Sequence, residues 1–223
     1  MLPMGWRIIR RGGAGFGLLA AALCALLVAC GGSPQSAPLP PGSVVLAFGN
    51  SVTYGTGAAG GEDYPTRLAA LTGWTIENAG VPGDTAEAAK GRLPALLEAQ
   101  RPALVIVELG GNDFLRRRPA AGVKEDLRQM LAAVRQAGAI PVLVGVPEIS
   151  FLGAVASRHS DSPIYAELAK EEGVLLIEEV FSRVLSDPAL KADPIHPNAA
   201  GYRRLAEGIA AALARQGLLK AAY

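Results

Sequence analysis

The chain has 223 residues, 50% of them hydrophobic and 5% aromatic, with 21 Lys and Arg against 20 Asp and Glu. That is enough apolar material for one domain with a sizeable core. The near-neutral balance lacks the basic excess that nucleic-acid binding needs.

The first thirty residues carry Arg7, Arg10 and Arg11 and no acid, and an apolar run rich in Ala and Leu follows from Phe16 to Ala29. The run falls short of the ~20 residues a comfortable bilayer span requires. A basic stretch followed by a short apolar one predicts a signal peptide over residues 1–29. Its end, "LVAC", resembles the bacterial lipobox, which makes Cys30 the expected lipidation site and new N-terminus. Residues 31–43, "GGSPQSAPLPPGS", are rich in Gly, Ser and Pro and bury nothing, so 30–43 reads as a lipidated Cys with a flexible tether. Stable anchoring takes more than one acyl chain, and the lipobox implies a diacylglyceryl group plus an N-acyl chain. Gly31 stands where an inner-membrane retention signal usually places Asp. The expected location is therefore the bacterial cell envelope, facing the periplasm, with the outer membrane favoured. Cys24 and Cys30 are the only cysteines, so the processed domain has no thiol, disulfide or Cys metal site. Processing removes three arginines and leaves 18 basic against 20 acidic residues, a net charge of about −2.

From residue 44 apolar runs alternate with helical patterns. The runs lie at 44–48, 75–78, 104–109, 140–146 and 174–177, and near-continuous apolar runs suit strands buried on both faces. Helical periodicity marks "YPTRLAALTG", "DTAEAAKGRLPALLEAQ", "KEDLRQMLAAVRQAG", "SPIYAELAKEEG" and "NAAGYRRLAEGIAAALARQG", with Asp84, Thr85 and Asn198 as candidate N-caps and Gly138 as a helix stop. The alternation predicts a three-layer α/β/α domain with a parallel sheet. Residues 51–62 and 148–160 show no clear pattern. Both follow strand ends, where ligands of such sheets bind.

One motif there misleads. "GTGAAG", Gly55 to Gly60, matches G-x-G-x-x-G, but its first Gly lies seven residues past Phe48 and no helical pattern opens before about Asp63. A dinucleotide fingerprint has to close the strand and open the helix at once.

Ser51, at the end of "VVLAFGNS", is a better lead. Serine hydrolysis needs a base, an acid to orient it and donors for the oxyanion. His159 lies in "SRHSDS", a polar loop, and reads as a solvated surface residue. His196 lies in "DPIHPN", before the last helix, with Asp193 three residues earlier. On a tight turn that spacing lets the carboxylate reach Nδ1–H and leaves Nε2 as a base. Taken alone, the same residues read more simply as a helix-entry turn without chemistry. "VELGGNDF" supplies the Asn112 amide as a donor, or an ordinary chain reversal. "NAGVPGDT" places the Gly83 N–H near a helix start. Polar motifs at the ends of successive strands of one parallel sheet converge on one crevice.

Together Gly49-Asn50-Ser51, Gly83, Gly110-x-Asn112-Asp113 and Asp193-x-x-His196 resemble the four blocks of the SGNH (GDSL) hydrolases. "NAGVPGDT", "RLPALLEAQRPALVIVELGGND" and "IHPN" are similar to the multifunctional bacterial periplasmic branch of that family, which covers acyl-thioesterase, lysophospholipase and arylesterase activities. The likeness runs from about residue 44 to 213. It implies a flavodoxin-like fold with a mostly parallel five-stranded sheet, in a hydrolase domain over 44–217 followed by a tail over 218–223. It implies Ser51 as nucleophile, Asp193 and His196 as its partners, and an oxyanion hole from the Ser51 and Gly83 N–H groups and the Asn112 amide. It also implies ester, thioester or lysophospholipid substrates and no metal or cofactor. G-x-S-x-G is absent, so the elbow of ordinary α/β-hydrolases is not expected. Phe114, Leu115, Phe151 and Leu152, just past strand ends, are candidates for an acyl groove. The family usually reads Gly-Asp-Ser where this chain has Gly-Asn-Ser. That departure leaves a non-catalytic envelope binding lipoprotein on the same fold as the alternative.

Overall fold

The computed structural model describes residues 37–148 and 158–220. Five strands form its sheet: β1 (Val44–Gly49), β2 (Thr75–Gly80), β3 (Leu104–Glu108), β4 (Ile140–Val144) and β5 (Leu175–Ile177). Their spatial order is β2-β1-β3-β4-β5, and every pairing is parallel. This is the flavodoxin-like order, and its direction of winding switches between β1 and β3. The central strands are apolar on both faces: Val45 to Phe48 and Leu104 to Val107 are fully buried. β2 differs. As the edge strand it leaves Thr75, Glu77 and Asn78 exposed, which explains its more polar sequence.

Two short helices, α1 (Ser51–Tyr54) and α5 (Gly111–Leu115), follow β1 and β3 directly. The longer helices form two layers. One holds α2 (Tyr64–Thr72), α8 (Val180–Ser186) and α9 (Ala199–Arg215). The other holds α3 (Ala86–Lys90), α4 (Leu93–Gln100), α6 (Ala120–Gln136) and α7 (Pro163–Glu172). Right-handed crossovers put α2 on one face and α3, α4, α6 and α7 on the other, because the chain moves one way from β1 to β2 and the other way from β2 to β5, and α8 and α9, after the last strand, join α2. Among the described residues no helix is long and apolar enough to cross a membrane.

Most helix signals act as expected. Thr85 caps α3 by accepting from the Ala88 N–H, and Asn198 caps α9 by accepting from Gly201. Gly138 ends α6 with φ of +79°. The single helix expected over 84–100 is two helices, because Pro94 sits in the first turn of α4, where a ring without an N–H is tolerated. The candidate cap Asp84 pairs with Arg92 instead. The packed region also reaches beyond residues 44–217. The Leu39 N–H donates to the Leu218 carbonyl, and Leu218 is buried. Isolated leucines in short end segments carry no periodic signal.

One close contact positions the α1 turn. Gly49 and Gly80 are register partners at the ends of β1 and β2. A Cβ on Gly49 would collide with Thr53 Oγ1 and lie 2.6 Å from the Glu108 carbonyl oxygen; one on Gly80 would collide with the Tyr54 nitrogen. The turn of α1 therefore rests directly on the paired strand ends. Gly80→Ala is expected to lower stability by about 1–3 kcal/mol through overpacking, measured as a reduced urea midpoint. An unchanged midpoint would show that α1 lifts away freely.

Candidate active site

α1 begins where β1 stops because Asn50 caps it. The buried Asn50 side chain accepts from the Val52 N–H at 2.9 Å, and Ser51 becomes the first helical residue. A helix of one turn at a strand tip holds Ser51 at the rim of the sheet. There Ser51 Oγ lies 2.9 Å from His196 Nε2, although 145 residues separate the two in sequence.

The histidine arrives on a turn built by its own carboxylate neighbour. Asp193 Oδ1 accepts from the backbone N–H groups of Ile195 and His196, both at 2.9 Å, and Oδ2 lies 2.7 Å from His196 Nδ1. Burial pushes Asp193 up, but hydrogen bonds from the His196 ring and from the Ile195 and His196 amides outweigh it and hold the acid below its ordinary value. An ionised Asp193 places the imidazole proton on Nδ1 and leaves Nε2 to accept from Ser51. The turn is fastened on both sides. Asn198 donates to the Ala189 and Lys191 carbonyls, and the Ala192 N–H donates to the His196 carbonyl. The "GTGAAG" loop packs against it as well. A Cβ on Gly57 would lie 2.6 Å from the Pro197 carbonyl, and the Tyr202 hydroxyl donates to Thr56 O at 2.7 Å. Gly55 and Gly57 serve close packing, and α2 opens only at Tyr64.

The remaining donors lie across the switch point. Asn112, on α5, lines the cleft with Ser51 and His196. Its amide donates to the Asp84 carbonyl at 2.9 Å, which ties the loop carrying Gly83 to α5. Gly83 adjoins the cleft through this link and is not among its lining residues. Its carbonyl accepts from Arg116 at 3.1 Å. Asp113 has a different task. It is fully buried, accepts from the Ala86 N–H at 2.8 Å and pairs with Arg118 at 3.0 Å. It therefore anchors the start of α3.

The wall of the cleft is largely apolar: Val52, Leu115, Val146, Phe181 and Ile195. Of the four residues expected in an acyl groove, Leu115 is there. Phe114 points into the core and meets the Tyr165 ring edge-on at 6.5 Å, since on a five-residue helix consecutive side chains diverge. Phe151 and Leu152 lie outside the described residues. Phe181 is not legible in the sequence as a site residue, because α8 is too short to show a period. Ile195 and Glu108 stand inside quoted motifs but carry no signal of their own. His159 is half-buried rather than solvated; its N–H donates to Ser186 Oγ, and it does not line the cleft. Among the described residues no group of three His, Cys, Asp or Glu side chains converges as metal ligands would.

The profile of the GDSL-like lipase/acylhydrolase family matches residues 47–204. The chain is 39% identical over 127 residues to thioesterase 1/protease 1/lysophospholipase L1 of Escherichia coli strain K12, a match spanning 56% of this chain and 60% of that protein. It therefore aligns with less than two thirds of that relative. It is 34% identical over 139 residues to esterase TesA of Pseudomonas aeruginosa, covering 61% of this chain and 68% of that one. A crystal structure of TesA superposes with a TM-score of 0.68 at 29% identity, covering 78% of this chain and 99% of that chain.

The two roles within Gly110-x-Asn112-Asp113 separate experimentally. Asp113→Ala is expected to cost about 2–3 kcal/mol of stability, since it strips the buried Ala86 N–H of its acceptor while Arg118 keeps Asp126. Chemical denaturation measures this, and a midpoint equal to wild type would rule the anchoring role out.

Proposed function

The chain belongs to the GDSL-like lipase/acylhydrolase family, and from that premise we propose that it hydrolyses carboxylic esters and thioesters, lysophospholipids among them, with Ser51 as nucleophile. The hydrogen-bonded line Ser51–His196–Asp193 carries this reading. His196 Nε2 takes the Ser51 proton as Oγ bonds to the acyl carbon. The carbonyl electron pair moves onto oxygen, and the N–H groups of Ser51 and Gly83 and the Asn112 amide receive the developing charge. The tetrahedral intermediate expels the alcohol or thiol, which leaves with the proton held by His196. A water molecule, deprotonated by the same nitrogen, then releases the carboxylic acid and restores Ser51. Asp193 keeps the imidazole in the required tautomer and balances its charge between the two transfers. The apolar wall of Val52, Leu115, Val146, Phe181 and Ile195 suits an acyl chain.

Asn50 does not favour a non-catalytic binder. Its side-chain oxygen caps α1, a task for which Asp and Asn serve equally, and Ser51 remains within reach of its base. The lipobox at Cys30 and the Gly/Ser/Pro-rich stretch after it support a protein anchored by lipid in the bacterial envelope, facing the periplasm and favouring the outer membrane.

A fluorophosphonate probe is expected to label Ser51 in the wild type and not in Ser51→Ala. His196→Ala abolishes hydrolysis of p-nitrophenyl esters while His159→Ala does not, and Asp193→Asn lowers turnover by about 10⁴-fold. An unlabelled Ser51, or His159→Ala as the more damaging change, would sink the assignment. For the anchor, Cys30→Ser is expected to release the protein from the membrane fraction or to leave the leader uncut. A processed Cys30→Ser protein that fractionates like wild type contradicts it.

A further inference from the structure

Beneath the Ser51 turn lies a carboxyl group with no charged partner among the described residues. Glu108, the last residue of β3, is 1% exposed and lines the cleft beside Asn50 and Ser51. Thr53, on the same turn as Ser51, donates from Oγ1 to Glu108 Oε2 at 3.0 Å, and Thr53 Oγ1 lies 3.1 Å from the Tyr64 hydroxyl. Tyr64, Thr53 and Glu108 thus form one chain running from α2 through α1 to the end of β3. Glu108 Oε1 is buried and has no well-formed hydrogen bond.

Among the described residues the surroundings hold no spare cation. Arg92, below the end of β1, is engaged by Asp84 and by the Ala79 and Gly49 carbonyls, and Arg118 by Asp113 and Asp126. His196 lines the same cleft as Glu108. The other ionisable neighbours are Tyr64 of α2, Tyr165 of α7 and Tyr202 of α9. Burial first, and Glu108 second, push each of these above the ordinary tyrosine range. Asp63 and Asp113 bear on the same tyrosines and add only negative charge. A buried carboxylate so placed lacks a counter-ion, and a neutral acid avoids that cost.

We propose that Glu108 works as an uncharged carboxylic acid which, through Thr53 and Tyr64, positions the α1 turn carrying Ser51. This makes it a positioning residue, and the proposal rests on the hydrolase reading above. Burial pushes the group up to about 8, against the lowering effect of hydrogen bonds from Thr53 and Asn50. It is neutral below that pH. Above it, a negative charge stands in the wall of the cleft where the oxyanion has to form, and the attack slows. Asn50 belongs to the same design. An Asp at that position would be a second acid beside Glu108 and would push it further up. The neutral amide leaves Glu108 as the acid directly under Ser51.

The test is the pH dependence of kcat/KM on p-nitrophenyl acetate over roughly pH 6 to 10. Wild type is expected to fall on the alkaline side with a midpoint near 8. Glu108→Gln is uncharged at every pH and still accepts from Thr53. It keeps a neutral-pH rate within about fivefold of wild type and loses the alkaline fall, whereas Glu108→Leu loses more than about tenfold throughout. Thermal unfolding supplies a readout without activity. The unfolded chain ionises Glu108 near the ordinary value of 4.5 while the folded chain keeps the proton, so folded wild type loses stability as pH rises between 4.5 and about 8. The excess of the Glu108→Gln Tm over wild type therefore widens across that window and levels above it. Should that variant not fold, the side-chain carboxyl ¹³C signal of wild type reports the same titration. An alkaline limb that survives in Glu108→Gln, a Tm gap constant with pH, or a carboxyl signal that titrates near 4.5 overturns the proposal. A wild type that hydrolyses nothing overturns the hydrolase reading and the positioning role with it, and the Tm comparison still decides the protonation state.

Discussion

The descent of α1 onto the ends of β1 and β2 is the contact on which the site depends. It is possible only because Gly49 and Gly80 leave no side chain in the way. Arg92 secures the same corner from beneath. Its guanidinium donates to the Gly49 and Ala79 carbonyls, binds Asp84 and stacks 4.2 Å from the Phe48 ring centre. The Gly49 carbonyl, which also accepts from the Val81 N–H, is thus held twice, and the turn carrying Ser51 rests on a well-bonded corner. The place is also fixed by topology. In this strand order the connections diverge between β1 and β3, and a crevice opens there. Ser51 and Asn112 stand on its two sides.

His196 reaches the crevice by a separate route. The turn from Asp193 to His196 is stable in its own right, since one carboxylate holds both the backbone and the ring. What aims it is α9, which Asn198 caps and which Tyr202 ties to the loop after α1. The two carboxyl groups near Ser51 then differ in state for a physical reason. Asp193 is held by the Ile195 and His196 amides and the His196 ring of its own turn and remains ionised. Glu108 is buried in the wall of the cleft, with Thr53 as its main donor and no charged partner among the described residues, and keeps its proton.

Adjacent residues in the motifs divide between chemistry and support. Ser51 and Asn112 line the cleft, Asn50 lines it and also caps α1, and Asp113 anchors α3. Asn50 keeps the shape and the acceptor oxygen of the Asp common at that position and drops only the charge. Losing a charge is cheap where the retained oxygen already does the capping.

Much of the fold was legible in the residues themselves. The five apolar runs, the caps at Thr85 and Asn198, the stop at Gly138 and the pairing of Asp193 with His196 all depend on neighbours within a few positions, and short-range rules read such neighbours well. The match of the blocks around Ser51, Gly83, Asn112 and His196 to one family came from the order of residues alone. Tertiary structure decided the rest. It turned Phe114 into the core, brought Phe181 and Ile195 into the wall and exposed β2 as an edge. It also isolated Glu108 among three tyrosines drawn from three different helices. Burial and ionisation are set by which groups crowd a point in space, and those groups come from stretches of chain whose local patterns carry no information about one another.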